Sequence, residues 1–216
     1  MVITDLEYIH RLATAKVLDG PVLELGTGYE GATSRAVVDA AGHAYYGTDM
    51  QPGEGVDFVA NFERLEDMAV FKPVAPFGSI FILNVLEHTF DPIRVLDNAV
   101  TLIRPGGTLV VLTPAVWPLH NYPMDAWRIL PNFYEEYAKR RGHRLIDKYF
   151  EYIGFGAIKN FRNPDSTYSL PPPGEAGLRF WLSRGIHKVF NTFGRGMLQP
   201  SHVAVGVVFV VNSPPQ

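Results

Sequence analysis

The feature that most constrains the fold is a glycine-rich turn that joins an apolar segment to a helical one. Residues 26–31 match the pattern G-x-G-x-x-G. Residues 21–25 have the pattern of a short buried strand, and residues 32–41 have the pattern of a helix that Gly42 ends. Such a turn usually opens a βαβ unit and holds a ligand at the helix N-terminus. We therefore expect a parallel sheet with a ligand at this turn.

Apolar strand segments and helical segments alternate along most of the remaining chain. Besides 21–25, the predicted strands are 43–48, 57–61, 79–83, 108–112, 145–152 and 202–211. The predicted helices are 4–18, 32–41, a short helix before Pro73, a helix that begins at Asp91-Pro92, 132–141, and one with an apolar stripe from 178 to 193. This alternation predicts the α/β class, with a doubly wound, mostly parallel, seven-stranded sheet.

The length favours a single domain, 1–216, because 216 residues suffice for one sizeable core and are few for two. We divide it into an N-terminal helix at 1–19, a ligand-binding core at 20–153, an insertion at 154–200 and a closing strand at 201–212. With 47% hydrophobic and 19% charged residues, the composition is typical of a globular protein. A net charge of -3 provides no global attraction to nucleic acid, so no nucleic-acid partner is expected.

The residue content also excludes several kinds of site. The chain has no cysteine, which excludes disulfides, thiolate nucleophiles and Cys-ligated metals, and no metal site is predicted. The longest apolar run, 203–211, is nine residues, far below the ~20 that a transmembrane helix needs. The first twenty residues contain no continuous apolar stretch and do not resemble a secretory signal. We expect a cytoplasmic protein without a transmembrane segment.

Two carboxylates beside the glycine turn indicate what kind of ligand it holds. Glu24 precedes Gly26 by two residues, and Asp49 follows the second predicted strand. A carboxylate at the position of Asp49 is well placed to accept the hydroxyls of a ribose. Glu24 would repel a diphosphate in a partly desolvated cleft and attract a cation. S-adenosylmethionine carries an ammonium, a sulfonium and no phosphate, whereas a nicotinamide dinucleotide carries a diphosphate.

Several segments resemble motifs of class I S-adenosylmethionine-dependent methyltransferases. Glu24-Leu25-Gly26-Thr27-Gly28 resembles the first motif of that family. Residues 57–65, 84–92 and 102–109 resemble its third-strand segment, its fourth-strand motif and the turn before its fifth strand. The resemblance covers roughly residues 20–152. It implies a Rossmann-like sheet with helices on both faces and an antiparallel last strand.

The resemblance also implies which residues bind the cofactor S-adenosylmethionine. Glu24 is expected to reach the methionine ammonium through water, and the backbone of the Gly26-Thr27-Gly28 turn to pack against the cofactor. Asp49 would bind the ribose and Met50 would lie against adenine. The remaining positions are an amide that accepts the adenine amino proton, a backbone N–H to the ring and a backbone carbonyl to the ammonium: Asn61, Phe62 and Asn84.

The segment after the fifth predicted strand holds most of the candidate acceptor-site groups. His120 is the candidate general base, Asp125 would orient it, and Arg128 would hold Asp125 or an anionic substrate group. Trp117, Tyr122 and Arg128 are the candidate substrate-binding residues. The alternative is that His120 is a loop histidine bonded to backbone, and that Asp125 and Arg128 form a local salt bridge.

His88 is a further catalytic candidate, with two interpretations. It faces the acceptor from the loop after the fourth strand, or it caps the helix that begins at Asp91. The insertion 154–200 is rich in Lys and Arg and also has two interpretations. It forms a lid, a homodimer arm or a surface for an anionic partner, or else a helix whose apolar stripe packs on the domain.

Taken together, these features predict methyl transfer from S-adenosylmethionine to a small polar molecule. A hydroxyl of a sugar or a related compound is favoured, because residues 120–128 resemble a His-x-Tyr-Pro-x-Asp-x-Trp-Arg pattern of bacterial methyltransferases, some of them associated with sugar pathways. One alternative is a protein that binds S-adenosylmethionine without catalysis. The other is a nicotinamide-dependent oxidoreductase, which the glycine pattern alone would also permit.

Overall fold

The computed structural model of the chain describes residues 3–28, 33–117, 119–120, 124–154 and 203–212. The strands are β1 Val22–Leu25, β2 Tyr45–Asp49, β3 Phe58–Val59, β4 Phe77–Leu83, β5 Ile103–Val116, β6 Arg144–Leu145, β7 Glu151–Gly154 and β8 Val203–Val210. The α-helices are α1 Ile3–Thr14, α2 Arg35–Ala40, α3 Pro92–Thr101 and α4 Pro131–Arg141. Short 3-10 helices span Leu65–Phe71, Leu86–His88 and Asp147–Tyr149. The predicted lid or dimer arm of 154–200 lies outside the described residues except for residue 154, as does Tyr122.

The strands form one mixed sheet in the order β3-β2-β1-β4-β5-β8-β6, with β7 also paired to β8. The neighbours from β3 to β5 are parallel, and β8 is antiparallel to β5, β6 and β7. The predicted class, mostly parallel pairing and antiparallel last strand are thereby confirmed. Because the parallel strands point the same way, the loops after β1, β2, β4 and β5 meet at one edge, where open α/β sheets bind ligands.

The predicted strand 145–152 is divided into β6 and β7. A 3-10 turn over Asp147–Tyr149 separates them, and both pair with β8 on the same side. The turn buries Tyr149, whose carbonyl accepts a hydrogen bond of 2.6 Å from the hydroxyl of Tyr8 on α1. The sheet therefore has eight strands in seven positions, and the turn that interrupts its last edge contacts the N-terminal helix.

Helices cover both faces of the sheet, as the resemblance implies. Alternate residues of β1, β4 and β5 enter two separate apolar clusters. One cluster contains residues of α3 and α4, and the other contains residues of α1 and α2. The central strands are buried on both faces, which is typical of parallel sheets and explains why they have continuous apolar runs. Among the described residues, no helix is long and apolar enough to cross a membrane.

Helix α3 begins where the sequence predicts. The side chain of Asp91 caps it by accepting a hydrogen bond from the backbone N–H of Arg94, at 3.0 Å. Its buried face includes Val95 and Ala99, whereas Ile93 is exposed. The sequence places Ile93, Leu96, Val100 and Ile103 at helical spacing; the last three pack in or against the core, and Ile93 is the exposed member. Pro92 is buried at the first helical position, where its missing N–H costs no helical hydrogen bond.

Candidate active site

The glycine turn after β1 lies against two neighbouring loops. Gly26 has a positive φ of 78°, and a Cβ there would lie 2.7 Å from a methyl group of Val85. The backbone N–H of Gly28 donates to Asp49 Oδ2 at 3.0 Å, and a Cβ on Gly28 would lie 3.0 Å from the Asp49 carboxyl carbon. Only glycine fits such close approaches without displacing its neighbours. The turn is thus held directly against the end of β2.

Glu24 is buried on β1 and accepts hydrogen bonds from two different elements. Its Oε2 accepts from the backbone N–H and hydroxyl of Ser34, at 2.8 and 2.5 Å, and from the Tyr45 hydroxyl, at 2.8 Å. Burial raises the pKa of the carboxyl, and these bonds act in the opposite direction. Glu24 therefore ties the start of α2 to β1 and β2. The pattern of the sequence does not predict this network, although Ser34 stands at the position of a helix N-cap.

The other residues of the predicted cofactor side lie at the same edge. Asp49 Oδ1 accepts from the backbone N–H of Gln51 at 3.1 Å, so both carboxylate oxygens already stabilise the loops around them. Met50 is half-exposed beside it. The side chain of Thr27 is buried, and its hydroxyl donates to the carbonyl of Gly55 at 3.2 Å. The backbone of the Gly26-Thr27-Gly28 turn, rather than the side chain of Thr27, therefore remains the candidate cofactor contact.

Asn61, Phe62 and Asn84 have internal contacts of their own. The Asn61 side-chain oxygen accepts from the backbone N–H of Glu63 at 2.8 Å, and the side chain of Phe62 is buried in the core. Asn84 directly follows β4 and has a positive φ of 55°. Its side-chain amide donates to Asp5 Oδ2 at 2.9 Å. The contact of Asn84 with Asp5 draws the N-terminal helix to the same edge. The predicted roles of these residues toward the cofactor stay predictions.

His88 lies in the 3-10 turn after β4 and faces the loop after β5. Its Nδ1 is 2.5 Å from the backbone carbonyl oxygen of Met124, to which a protonated Nδ1 donates. Burial lowers the pKa of His88. The cap of α3 is Asp91, so the alternative in which His88 caps that helix is wrong. His88 instead connects the loops that follow β4 and β5.

Asp125 and its neighbours form a compact polar group. Asp125 Oδ2 accepts from the backbone N–H of His120 at 2.9 Å and lies 3.0 Å from His120 Nδ1. Arg128 binds the same carboxylate with both terminal nitrogens, with 2.6 Å between Nη2 and Oδ2. The Arg128 guanidinium holds the pKa of Asp125 well below its usual range. Arg128 also donates to the backbone carbonyl of Trp117, at 3.3 Å.

The two candidate histidines are neighbours. The rings of His88 and His120 meet edge to face with their centroids 4.9 Å apart, and the Trp117 ring is 6.0 Å from that of His120. The structure thus brings His88, His120, Asp125, Arg128 and Trp117 together. These contacts fit both the predicted catalytic group and the simpler alternative of a loop stabilised by a salt bridge.

Glu87 is a buried carboxylate that no sequence motif marks as a site residue. Its side chain is 1% exposed, and neither oxygen has a hydrogen-bond partner within the described part of the chain. Its Oε1 is 3.7 Å from His88 Nε2. Burial, with Asp125 and Asp5 nearby, raises the pKa of Glu87 to about 8. The sequence feature that could have indicated a buried carboxylate is the position of Glu87 directly after the apolar pair Val85-Leu86.

Comparison with known proteins identifies the family. Residues 6–158 match the family model described as "Methyltransferase domain". The chain belongs to this methyltransferase family. It is 36% identical over 64 residues to the "Ubiquinone biosynthesis O-methyltransferase" of Xylella fastidiosa, a match that covers 30% of this chain and 25% of that protein. It is 33% identical over 142 residues to an "Uncharacterized methyltransferase" of Mycolicibacterium gilvum, covering 59% of this chain and 53% of that protein.

Solved methyltransferase structures share the fold at low sequence identity. The 1,6-didemethyltoxoflavin-N1-methyltransferase of Burkholderia thailandensis has a TM-score of 0.60 at 11% identity, over 98% of this chain and 79% of that one. A SAM-dependent methyltransferase from Archaeoglobus fulgidus has a TM-score of 0.50 at 16% identity, over 95% and 94%. At such identities the similarity concerns the fold. In sequence, the chain spans about a quarter to a half of the length of the relatives it matches.

Proposed function

We propose that this methyltransferase transfers a methyl group from S-adenosylmethionine to a hydroxyl of a small polar molecule, such as a sugar. The observation that carries the proposal is the match of residues 6–158 to a methyltransferase domain, because it includes both sides of the candidate site. One side is the glycine turn with Asp49, and the other is the group around His88 and His120. Both lie in loops at the same edge of the sheet.

The charges of the first side support S-adenosylmethionine as the cofactor. Glu24 and Asp49 place two carboxylates around the glycine turn, which favours an ammonium and a sulfonium and opposes a diphosphate. Asp49 has lone pairs for two ribose hydroxyls beyond the backbone N–H groups that it already accepts. Because Oε2 of Glu24 is buried and already accepts three hydrogen bonds, Glu24 acts on the ammonium through its electrostatic field and through water.

The chemistry of the second side supports a hydroxyl acceptor. In an in-line displacement the acceptor oxygen forms a bond to the methyl carbon as the carbon–sulfur bond breaks, and S-adenosylhomocysteine leaves with the electron pair. A hydroxyl also loses its proton, and a neighbouring base accelerates that loss. His120 is the favoured proton acceptor, since Asp125 contacts its Nδ1 and backbone N–H. The Xylella relative named an O-methyltransferase agrees with an oxygen acceptor over the matched 64 residues.

Calorimetry with S-adenosylhomocysteine tests the cofactor. We expect a binding free energy of about −7 to −8 kcal/mol, the micromolar range of many metabolite sites. NADH is the matched control ligand, since it carries the adenosine together with a diphosphate. Binding of NADH without binding of S-adenosylhomocysteine would overturn the proposal in favour of the oxidoreductase alternative.

Mass spectrometry with a methyl-labelled cofactor tests the acceptor. The protein is incubated with pairs of compounds that differ only in carrying a hydroxyl or an amine at one position, beginning with sugars and amino sugars. Label on the hydroxyl compounds is the expected result. Label confined to the amines would leave the cofactor assignment intact and overturn the hydroxyl. Tight cofactor binding with no transfer to any compound would favour the non-catalytic alternative.

A further inference from the structure

Glu87 has a buried carboxyl group to which no described residue donates a hydrogen bond. Both oxygens are buried without a hydrogen-bond partner among the described residues. A buried carboxylate in that state is costly, and native proteins normally supply a donor, a positive charge or a metal. The nearby guanidinium of Arg128 is bound by both oxygens of Asp125, which offsets its charge. The positive charge of Arg128 favours the charged form of Glu87 from a distance, but Glu87 accepts no hydrogen bond from it.

The neighbouring ring atom of His88 is also suited to a cation. Nδ1 of His88 lies 2.5 Å from the carbonyl oxygen of Met124, and a carbonyl oxygen can only accept, so Nδ1 carries the proton. In the neutral ring Nε2 then has a lone pair, and this atom is 3.7 Å from Glu87 Oε1. Two electron-rich atoms thus face each other across a short gap. Burial raises the pKa of Glu87 to about 8, so a cation between the two atoms would replace the proton that this carboxyl group otherwise holds near neutral pH.

His120 supplies a third ligand to the same space. One ring nitrogen of each histidine and one oxygen of Glu87 lie within 4.8 Å of one another. We propose that Glu87, His88 and His120 bind a divalent first-row transition metal ion such as Zn²⁺. Two imidazoles and a carboxylate are a known ligand set for catalytic zinc, which leaves a fourth position for water or substrate. The sequence predicts no metal site, and the proposal departs from that prediction.

The distances between the three ligand atoms match those of a zinc site after a small contraction. Zinc bonds of about 2.0–2.1 Å place neighbouring tetrahedral ligands about 3.3 Å apart. The 3.7 Å between Glu87 and His88 is already close to that value, and the separations from His120, which are within 4.8 Å, need to shorten by at most about 1.5 Å. His120 is in the long loop after β5 and Leu86–His88 is a short 3-10 turn, so both can adjust by side-chain rotation.

The groups behind the ligands are those found at metal sites. Ligating histidines usually donate their other N–H to a carbonyl or a carboxylate, which fixes the ring and its tautomer. His88 has the carbonyl of Met124 at this position, and Asp125 contacts Nδ1 of His120. A bound metal would give His120 the role of a ligand rather than a base, and the ion would lower the pKa of a hydroxyl bound to it. The metal site itself does not depend on the proposed methyl transfer.

Zinc titration of the full chain tests the proposal. The protein is prepared without a histidine tag, treated with a chelator, dialysed and titrated with ZnCl₂ in a calorimeter. We expect one equivalent to bind. Glu87→Gln, His88→Ala and His120→Ala should each weaken binding by at least about 10-fold, since loss of a supporting partner alone usually costs 10–100-fold. His10→Ala is the matched control, because His10 is exposed on α1 outside the cluster, and it should bind zinc like the parent.

Two further measurements keep the test independent of folding and of methyl transfer. Binding of S-adenosylhomocysteine without metal checks that each variant is folded, and it tests the proposed cofactor separately. The thermal midpoint of the parent protein should rise with ZnCl₂, and that of Glu87→Gln should rise less. Absence of stoichiometric zinc binding by the parent would overturn the proposal. Binding that none of the three ligand variants weakens would overturn it equally.

Discussion

Two buried glutamates, Glu24 and Glu87, show how the two sides of this site differ. Their exposed fractions are nearly the same, 3% and 1%. Glu24 accepts three hydrogen bonds from Ser34 and Tyr45, whereas Glu87 has no partner within the described residues. Equal burial therefore has opposite consequences. The bonds to Glu24 offset its desolvation and stabilise the fold, and the desolvation of Glu87 is not offset by any such bond.

The same contrast extends to the surrounding loops. On the cofactor side, Asp49 holds the glycine turn through Gly28, and short loops fix each group against the ends of parallel strands. On the acceptor side, His88 lies in a 3-10 turn and His120 in a long loop. His88 contacts that loop through the Met124 carbonyl and through the ring of His120. Groups that bind a cofactor can have much of their hydrogen-bonding capacity filled by the protein itself. Groups that meet a reacting atom or an ion keep bonding capacity for it, at some cost in stability.

The largest effect is expected on the acceptor side, from His120→Ala. Turnover should fall by ~10² to 10⁴, because the group that assists removal of the hydroxyl proton is lost. The affinity for S-adenosylhomocysteine should not change, since the cofactor side is untouched. Steady-state kinetics and calorimetry measure the two quantities, with His43→Ala, outside the group, as the control. Parental turnover would mean that proximity suffices or that His88 does the work. Loss of cofactor binding would mean that the loop is structural and that the two sides are not separable.

A paired substitution of the glutamates sharpens the comparison directly. Glu24→Met should lower the free energy of unfolding by about 2–4 kcal/mol, because the donors of Ser34 and Tyr45 lose their acceptor. Glu87→Met should leave it unchanged or raise it by about 1–2 kcal/mol, since an apolar side chain of similar shape replaces a buried carboxyl that has no hydrogen-bond partner in the described part of the chain. Denaturant unfolding in the presence of a chelator measures both. Equal destabilisation by the two substitutions would contradict the distinction.

Asp49→Ala tests the cofactor side. The cofactor should lose about 1.5–3 kcal/mol of binding free energy, roughly 10- to 150-fold in affinity, because two ribose hydroxyls lose a charged acceptor. Asp39→Ala, on the exposed side of α2, should bind like the parent. Calorimetry with S-adenosylhomocysteine compares the two variants. An Asp49→Ala protein with parental affinity would show that the ribose is held elsewhere.

The smallest effect is expected for Tyr45→Phe, which removes one of the three hydrogen bonds to Glu24. The free energy of unfolding should fall by about 0.5–1.5 kcal/mol, the usual value for one such bond. Tyr46→Phe is the matched control from the next position of β2. If Tyr45→Phe were as damaging as Glu24→Met, the Tyr45 bond would dominate the network and Ser34 would add little.

Local patterns were sufficient for much of the fold and for one side of the site. The order of strands and helices follows from apolar periodicity, and the Asp91 cap and the glycine turn follow from local chain chemistry. Asp49 could be placed because the end of a strand lies beside the turn that follows the neighbouring parallel strand. The break between β6 and β7 could not be predicted from local pattern, since the turn there contacts Tyr8 on α1, 141 residues away along the chain.

By itself, the sequence determined the α/β class, the antiparallel last strand by resemblance, and the polar residues available at the carboxyl edge of the sheet. Those properties depend on neighbours within a few positions or on motifs in a known order. Only the tertiary structure decided which buried glutamate is satisfied, and that His88 contacts Met124 and His120 rather than capping α3. Hydrogen bonding and burial depend on groups that folding brings together from distant segments, and local periodicity carries no information about such pairs.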